Sequence, residues 1–240
     1  MVMNKNLADR LAAVASEAAA MRSRNESSGP QAARLDELKA WQSARLARTH
    51  ADLLGHARYR PAALFFLEDL YEPKDARWRD AELARIIPTL GKYLPESALS
   101  TLVDAVELDL LSERLDARVA ARLPDGEPIT EASYAAAYRS AGTPQERQTQ
   151  LRLMLTVGRS LDRLVNKPLV SGLLVAMGPV AHAAGLGAIH GFLQRGFTAF
   201  KSMRGAQGFL DLLSAREALL MQRLFEGASQ GLLEQGEGQV

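Results

Sequence analysis

From Pro168 to Gln194 the chain carries no Asp, Glu, Lys or Arg. A run of this length without charge must be covered by protein or by lipid, and it is long enough to cross a bilayer. Several features oppose a span. Gly178-Pro179 and His182 fall near its middle, Gly172, Gly178, Gly185, Gly187 and Gly191 punctuate it, and no Trp or Tyr marks either end. A helix that is apolar all round also suits the centre of a large helical bundle. The expected arrangement is therefore a buried, glycine-rich helical segment over 168–200, broken at Gly178-Pro179. A peripheral membrane protein docking through 168–194 is the alternative. Gly187-Ala-Ile-His-Gly191 spaces small residues for close helix packing. No strand precedes Gly185-Leu-Gly187, so a dinucleotide loop is excluded there.

The remainder reads as helix. Aromatic residues make up only 6% of the chain, and runs alternating apolar and polar residues are missing. Leu7, Leu11, Val14, Ala18 and Met21 repeat at steps of four and three, giving a first amphipathic helix. Asn25 to Pro30 breaks it, and a second helix runs from about 31 to 58, its other side carrying mixed charge. Together they resemble an antiparallel hairpin, with a homodimer seam as the alternative. Pro61 suits the first turn of a short helix that Pro73 ends. A fourth helix carries Leu83, Ile86, Ile87, Leu90 and Leu94, and Pro88 should kink or split it. A long fifth helix bears the stripe Leu99, Leu102, Val103, Val106 and Leu110, with acids assigned to its other side. Thr130 opens a sixth. Thr143-Pro-Gln-Glu146 is a capping box with proline at the first helical position, and it opens a seventh. The final helix spans about 206–225. The sum is a single all-α domain of about nine or ten helices over 1–227, with an N-terminal hairpin (1–58), a main bundle (59–227) and a disordered tail (228–240).

Composition narrows the function classes. Lys and Arg number 29 against 28 Asp and Glu, so no global field steers nucleic acid. With no cysteine there can be no disulfide, Cys-bound zinc, iron–sulfur cluster or thiol nucleophile, which fits a reducing cytoplasm. Glu17 interrupts the only apolar run near the N-terminus, so no targeting signal is expected. Walker, Gly-x-Ser-x-Gly and His-Glu-x-x-His patterns are missing. Asp52 and His56 offer only half a metal site, and the Glu-x-x-His pairs of di-iron bundles are absent, so no metal is expected.

Two constellations remain. His182 and His190 share a helix face loosely and can bind haem iron or a polar head group, although core histidines are the simpler reading. In Phe65-Phe-Leu-Glu-Asp-Leu-Tyr71, two acids interrupt an apolar run. With Leu64 at 0° on a helical wheel, Glu68 falls at about 40° and Asp69 at about 140°, flanking Phe65. These acids need solvent or arginine partners. A structural ion-pair network of Glu68, Asp69, Asp75, Arg79, Asp80 and Arg85 is expected, with Arg58, Arg60 and Arg77 also in reach.

The stretch Phe65 to Tyr71, followed by Pro73-Lys-Asp75 and Arg79-Asp80, resembles an uncharacterised bacterial family named for a Phe-Phe-Leu-Glu-Glu-Leu-Tyr motif. Asp69 stands where that motif has its second Glu. Leu161-Asp-Arg163 and Ala181 to Gly187 also resemble segments of that family. The resemblance implies a bacterial, cytoplasmic protein and assigns no catalytic residue.

The function expected from these features is a non-enzymatic module that binds a partner protein or an apolar small molecule. Phe65, Phe66, Glu68, Asp69, Tyr71, His182 and His190 are its candidate lining. The alternatives are an enzyme using the carboxylate and arginine cluster at 68–85 and a globin-like haem sensor.

Overall fold

Caps set where several helices begin. The Thr143 hydroxyl accepts the Glu146 N–H at 3.2 Å, and the Glu146 carboxylate accepts the Thr143 N–H at 3.0 Å. This satisfies two donors the first turn leaves open. Thr130 and Ser133 repeat the device one helix earlier, at 3.1 and 3.0 Å. The computed structural model describes residues 2–71 and 77–228, and the described residues form helices and no strand. In order they are α1 (Val2–Glu26), α2 (Pro30–Thr49), α3 (Ala51–Gly55), α4 (Arg60–Leu64), a π-helical segment (Phe65–Tyr71), α5 (Arg77–Tyr93), α6 (Glu96–Ala120), α7 (Glu131–Ala141), α8 (Pro144–Val165), α9 (Pro168–Ala183), α10 (Gly187–Ser202) and α11 (Gln207–Glu226).

The all-α expectation holds, and α6 is the hub around which α1, α2, α7 and α8 pack. Three apolar clusters join the helices. Leu11, Ile86, Ile87, Leu99 and Val103 join α1, α5 and α6. Leu35, Leu38, Val119, Tyr134, Tyr138 and Leu224 join α2, α6, α7 and α11. Leu53, Ala62, Val165, Phe200, Phe209 and Leu210 join α3, α4, α8, α10 and α11. Burying each such Leu, Val or Phe contributes about 1.5–3 kcal/mol. Rather than folding back on α2, α1 lies chiefly on α5 and α6.

Helix breaks fall elsewhere than the sequence suggests. The second helix stops at Thr49, and α3 follows as a separate short helix. α5 runs unbroken through Pro88, and α9 through Pro179. The expected break at Gly178-Pro179 occurs instead at Gly185, whose φ of +68° glycine adopts without strain. There the Leu186 N–H reaches back to the Ala181 carbonyl at 2.8 Å and the Gly185 N–H to the His182 carbonyl at 3.1 Å, a Schellman ending. His182 and His190 therefore lie on different helices.

The burial expected for 168–200 is corrected in its first half. Only Ala181 of α9 is buried, while Leu169 and Val175 are each 71% exposed and Val180 is 60% exposed. The cause is position: α9 sits at the edge of the bundle, packed chiefly on α10 and α8. The buried half is α10, through Ile189, His190, Ala199 and Phe200. No single described helix is long and apolar enough to cross a membrane. α8 and α9 together pass that test of length and composition but are bent by 85°.

Candidate functional site

On α2, Leu38, Gln42, Arg45 and Thr49 follow one another at steps of four, three and four, so three polar residues continue an apolar stripe. The same substitution recurs on other helices. On α11, Glu217 stands between Leu213 and Leu220. On α6, Glu113 and Asp116 prolong the stripe of Val103, Val106 and Leu110, so these acids do not lie on the solvated side. On α8, Arg147 and Gln150 precede Met154, Gly158 and Leu161 in register. All of these polar residues converge at one end of the bundle. Arg45, Gln42, Thr49, Glu113, Asp116 and Arg147 are all buried.

Except for Thr49 and Glu113, they line a small cavity that offers about 60 Å³ to the centres of water-sized molecules, room for a few waters or a very small polar solute. Gln42, Arg45, Asp116, Arg147, Gln150 and Glu217 line it together with Tyr134, Tyr138, Leu220, Met221 and Leu224, and the surface it exposes is almost entirely polar. Tyr134 and Tyr138, one turn apart on α7, have ring centroids 5.7 Å apart. Trp41 packs behind Tyr134 at 4.4 Å, and the Arg147 guanidinium lies 4.1 Å above the Tyr138 ring.

Most polar groups here hold one another. Arg45 donates to Glu217 Oε1 at 2.6 Å, and His50 Nε2 lies 3.0 Å from the same oxygen. Lys39 donates to Glu113 at 2.6 Å. Gln42 Nε2 donates to Asp116 Oδ1 at 3.0 Å, and Gln150 Nε2 to Ser112 Oγ at 2.8 Å. Arg147 is engaged on one nitrogen only, with Nη1 donating to Gln150 Oε1 at 3.1 Å. Its Nε and Nη2, like Gln42 Oε1, are buried without a hydrogen-bond partner.

The titrating groups are driven in opposite directions. Burial raises the Glu217 carboxyl, but the Arg45 charge and the hydrogen bonds from His50 and Arg45 outweigh it and hold the pKa at about 2. Asp116 is raised by burial, which prevails over the Arg147 charge and the Gln42 hydrogen bond. Burial likewise raises Tyr134 and Tyr138, keeping both as neutral hydroxyls at ordinary pH. The result is a small, partly enclosed site whose exposed surface is almost entirely polar.

The described residues singled out by sequence do not line this cavity. Phe65 is buried against Gly196 and Phe192, and Phe66 packs on Phe200 and Phe209. Glu68 is exposed on the π-helical segment. Asp75 lies outside the described residues, as do the side chains of Asp69, Tyr71 and Arg79. Asp80 pairs with Arg22 of α1, a partner more distant in sequence than the neighbouring arginines. Arg85 donates to the Ala184 carbonyl at 2.8 Å, and Arg58 to the Gly205 carbonyl at 3.0 Å. The His182 and His190 rings meet edge to face across α9 and α10, 5.9 Å apart. His190 Nε2 bonds the Leu174 carbonyl and His182 Nδ1 the Gly178 carbonyl. Among the described residues no group of three or more His, Cys, Asp or Glu gathers in a way that would hold a metal ion.

A protein-family model described as Domain of unknown function (DUF8198) matches residues 21–231. Comparison with curated proteins and with solved structures gives no match.

Proposed function

We propose that this chain, which belongs to the family described as Domain of unknown function (DUF8198), is a binding module that takes a small polar molecule into the cavity between α2, α6, α7, α8 and α11. The observation that carries this reading is the Arg147 guanidinium, 5% exposed, with Nε and Nη2 lacking a partner. Leaving such donors buried and unsatisfied is costly, more so on a charged group. A ligand that supplies acceptors removes that cost. The polar lining moves the expected ligand from an apolar molecule to a polar one. The site proposed is this cavity rather than Phe65, Phe66, His182 and His190, none of which lines it. The enzyme alternative at 68–85 loses ground because Asp80 and Arg85 are both engaged in holding helices together. A bacterial, cytoplasmic setting belongs to the same proposal.

Labelling the full chain with 3-fluorotyrosine and screening a library of charged and neutral fragments by fluorine NMR tests it, with the resonances assigned by Tyr134→Phe and Tyr138→Phe. Saturable shifts at one or both of these tyrosines are expected. If no fragment of any charge moves either resonance, the reading fails.

The exposed face of α9, bearing Leu169, Val175 and Val180, favours a second reading in which a second copy of the chain docks there. Sedimentation velocity across a concentration series tests it. Dimerisation abolished by Val175→Glu is expected, and a monomer at every concentration removes this reading.

A further inference from the structure

Charge balances over the whole chain but not along it. Between Glu146 and Asp211 there are eight Lys and Arg residues and a single acid, Asp162. That acid is engaged within the chain, where it accepts the Ala206 N–H at 3.0 Å. Arg152, Arg159 and Arg163 follow one another at steps of seven and four down the exposed side of α8, and Lys167 closes the row at the start of α9. Among the described residues none of the four pairs with a carboxylate. Arg152, Arg163 and Lys167 bond only the hydroxyls of Thr149, Ser160 and Ser97. Arg10, Arg114 and Arg118, by contrast, each meet a glutamate. After Lys167 the chain is bent by 85° into α9, and charge gives way to carbon. Leu169, Gly172, Val175, Ala176, Pro179 and Val180 share its open side, while Gly178 on the other side lies against His190 of α10.

We propose that the corner of α8 and α9 docks on a membrane surface rich in anionic phospholipid. Arg159, Arg163 and Lys167 meet the head-group phosphates, and the open side of α9 lies among the first acyl carbons. This goes beyond the cavity reading and does not depend on it. Attachment of a helix to a bilayer surface grows with the apolar area it buries and with its attraction to anionic lipid, and this corner supplies both. A nucleic acid would satisfy the cations and leave Leu169 and Val175 in water. The centres of protein contacts are rich in Tyr, Trp, Phe and Met, and the open side of α9 has none of these. A second copy packed α9 to α9 would cover the same side yet bring no acid to the cations, because none occurs from 168 to 194. An anionic bilayer answers the charge and the apolar side together.

Co-sedimentation of the full chain with vesicles of phosphatidylcholine, alone or mixed equally with phosphatidylglycerol, tests the proposal. Binding to the mixed vesicles only is expected, and it should weaken as salt rises. Arg159→Gln/Arg163→Gln should bind about 25-fold more weakly, at about fivefold for each cation near an anionic surface. Val175→Ser/Val180→Ser should also weaken binding, and both variants alter exposed side chains, so circular dichroism should be unchanged. Because the chain has no cysteine, a polarity-sensitive dye on Ala176→Cys reports α9 alone. Its emission should move to the blue on mixed vesicles, while the same dye on Gln31→Cys of α2 should not respond. Should a double variant fail to fold, the dye and the two kinds of vesicle decide the matter. No binding to mixed vesicles, equal binding to both kinds, or a dye at 176 that stays in water overturns the proposal. So does binding that the arginine variant loses and the valine variant keeps, which marks a bare anion patch. A dimer that Val175→Glu dissolves and that ignores vesicles gives the face to a second copy instead.

Discussion

The Phe65 ring lies directly on Gly196 of α10: a Cβ built there would stand 2.7 Å from Cζ and within 3.2 Å of two further ring carbons. The ring cannot retreat easily, because Phe66 and Phe192 pack on it. Gly196→Ala therefore sets helix propensity, which favours alanine by about 1 kcal/mol, against overpacking, which costs about 1–3 kcal/mol. The steric term is expected to win. Urea denaturation should show a lower midpoint, and adding Phe65→Leu to Gly196→Ala should recover part of the loss.

Arg22 is 6% exposed and bridges Asp80 on α5 and Asp109 on α6. Burial pulls its pKa down, but the hydrogen bonds and charges of the two aspartates more than reverse this and leave it raised. Asp80→Ala would leave a buried guanidinium with half its compensation. Breaking a buried pair costs about 3–5 kcal/mol, and the lower end is expected because Asp109 remains. Chemical denaturation of the single variants and of Arg22→Met/Asp80→Leu checks this. The double variant should recover most of the loss, since two apolar groups leave no unpaired charge.

Glu217 makes stability depend on acidity. Its folded pKa of about 2 lies below the ordinary value of 4.5, so over the acid range the unfolded chain binds the proton more readily. The contribution is present in full above about pH 4.5 and disappears as pH falls towards 2. It amounts to about 3 kcal/mol at one pKa unit per 1.36 kcal/mol. Urea melts of the wild type and Glu217→Gln at stepped pH should differ most near neutrality and converge below pH 3. A gap that stays constant with pH would contradict the assignment.

Asp116 has the opposite sign. Burial raises its folded pKa, so its contribution is present below the unfolded value of 3.8 and is lost as pH rises through the folded one. Asp116→Asn keeps an oxygen for the Gln42 amide and removes the ionisation. The variant is expected to be at least as stable as the wild type at neutral pH, with an advantage that grows with pH in the same urea assay.

What could be read from the sequence was local. Thr143-Pro-Gln-Glu146 announces a helix start because a cap needs only four consecutive residues, and the three–four rhythm of Leu99, Val103 and Val106 announces α6 for a similar reason. The breaks were harder. Pro88 and Pro179 suggested interruptions, yet both are accommodated inside helices, while Gly185 ended one through a left-handed φ that other glycines nearby did not require. The cavity was missed because its residues come from five helices and share no spacing. Its signal was present all the same. Arg45, Asp116, Arg147 and Glu217 each sit in register with leucine, valine or methionine, where a solvated face would have placed them out of phase. The conspicuous acids at 68 and 69 drew attention by adjacency, whereas the buried charges were separated by whole helices.

The contact between Arg45 and Glu217 spans 172 positions of sequence, and that between Asp52 and Arg216 spans 164. A ribosome adding about 5–20 residues per second therefore completes α2 roughly 8–35 seconds before the partner carboxylate on α11 exists. Through that interval the stripe of Gln42, Arg45 and Thr49 lacks its Glu217 contact, although Asp116, which accepts from Gln42, follows 74 positions later on α6. Its polarity then keeps the growing chain in water where an all-leucine stripe would seek other apolar surfaces. The polar end of the bundle is thus also the last seam to close, a clasp fastened by α11 when biosynthesis reaches it.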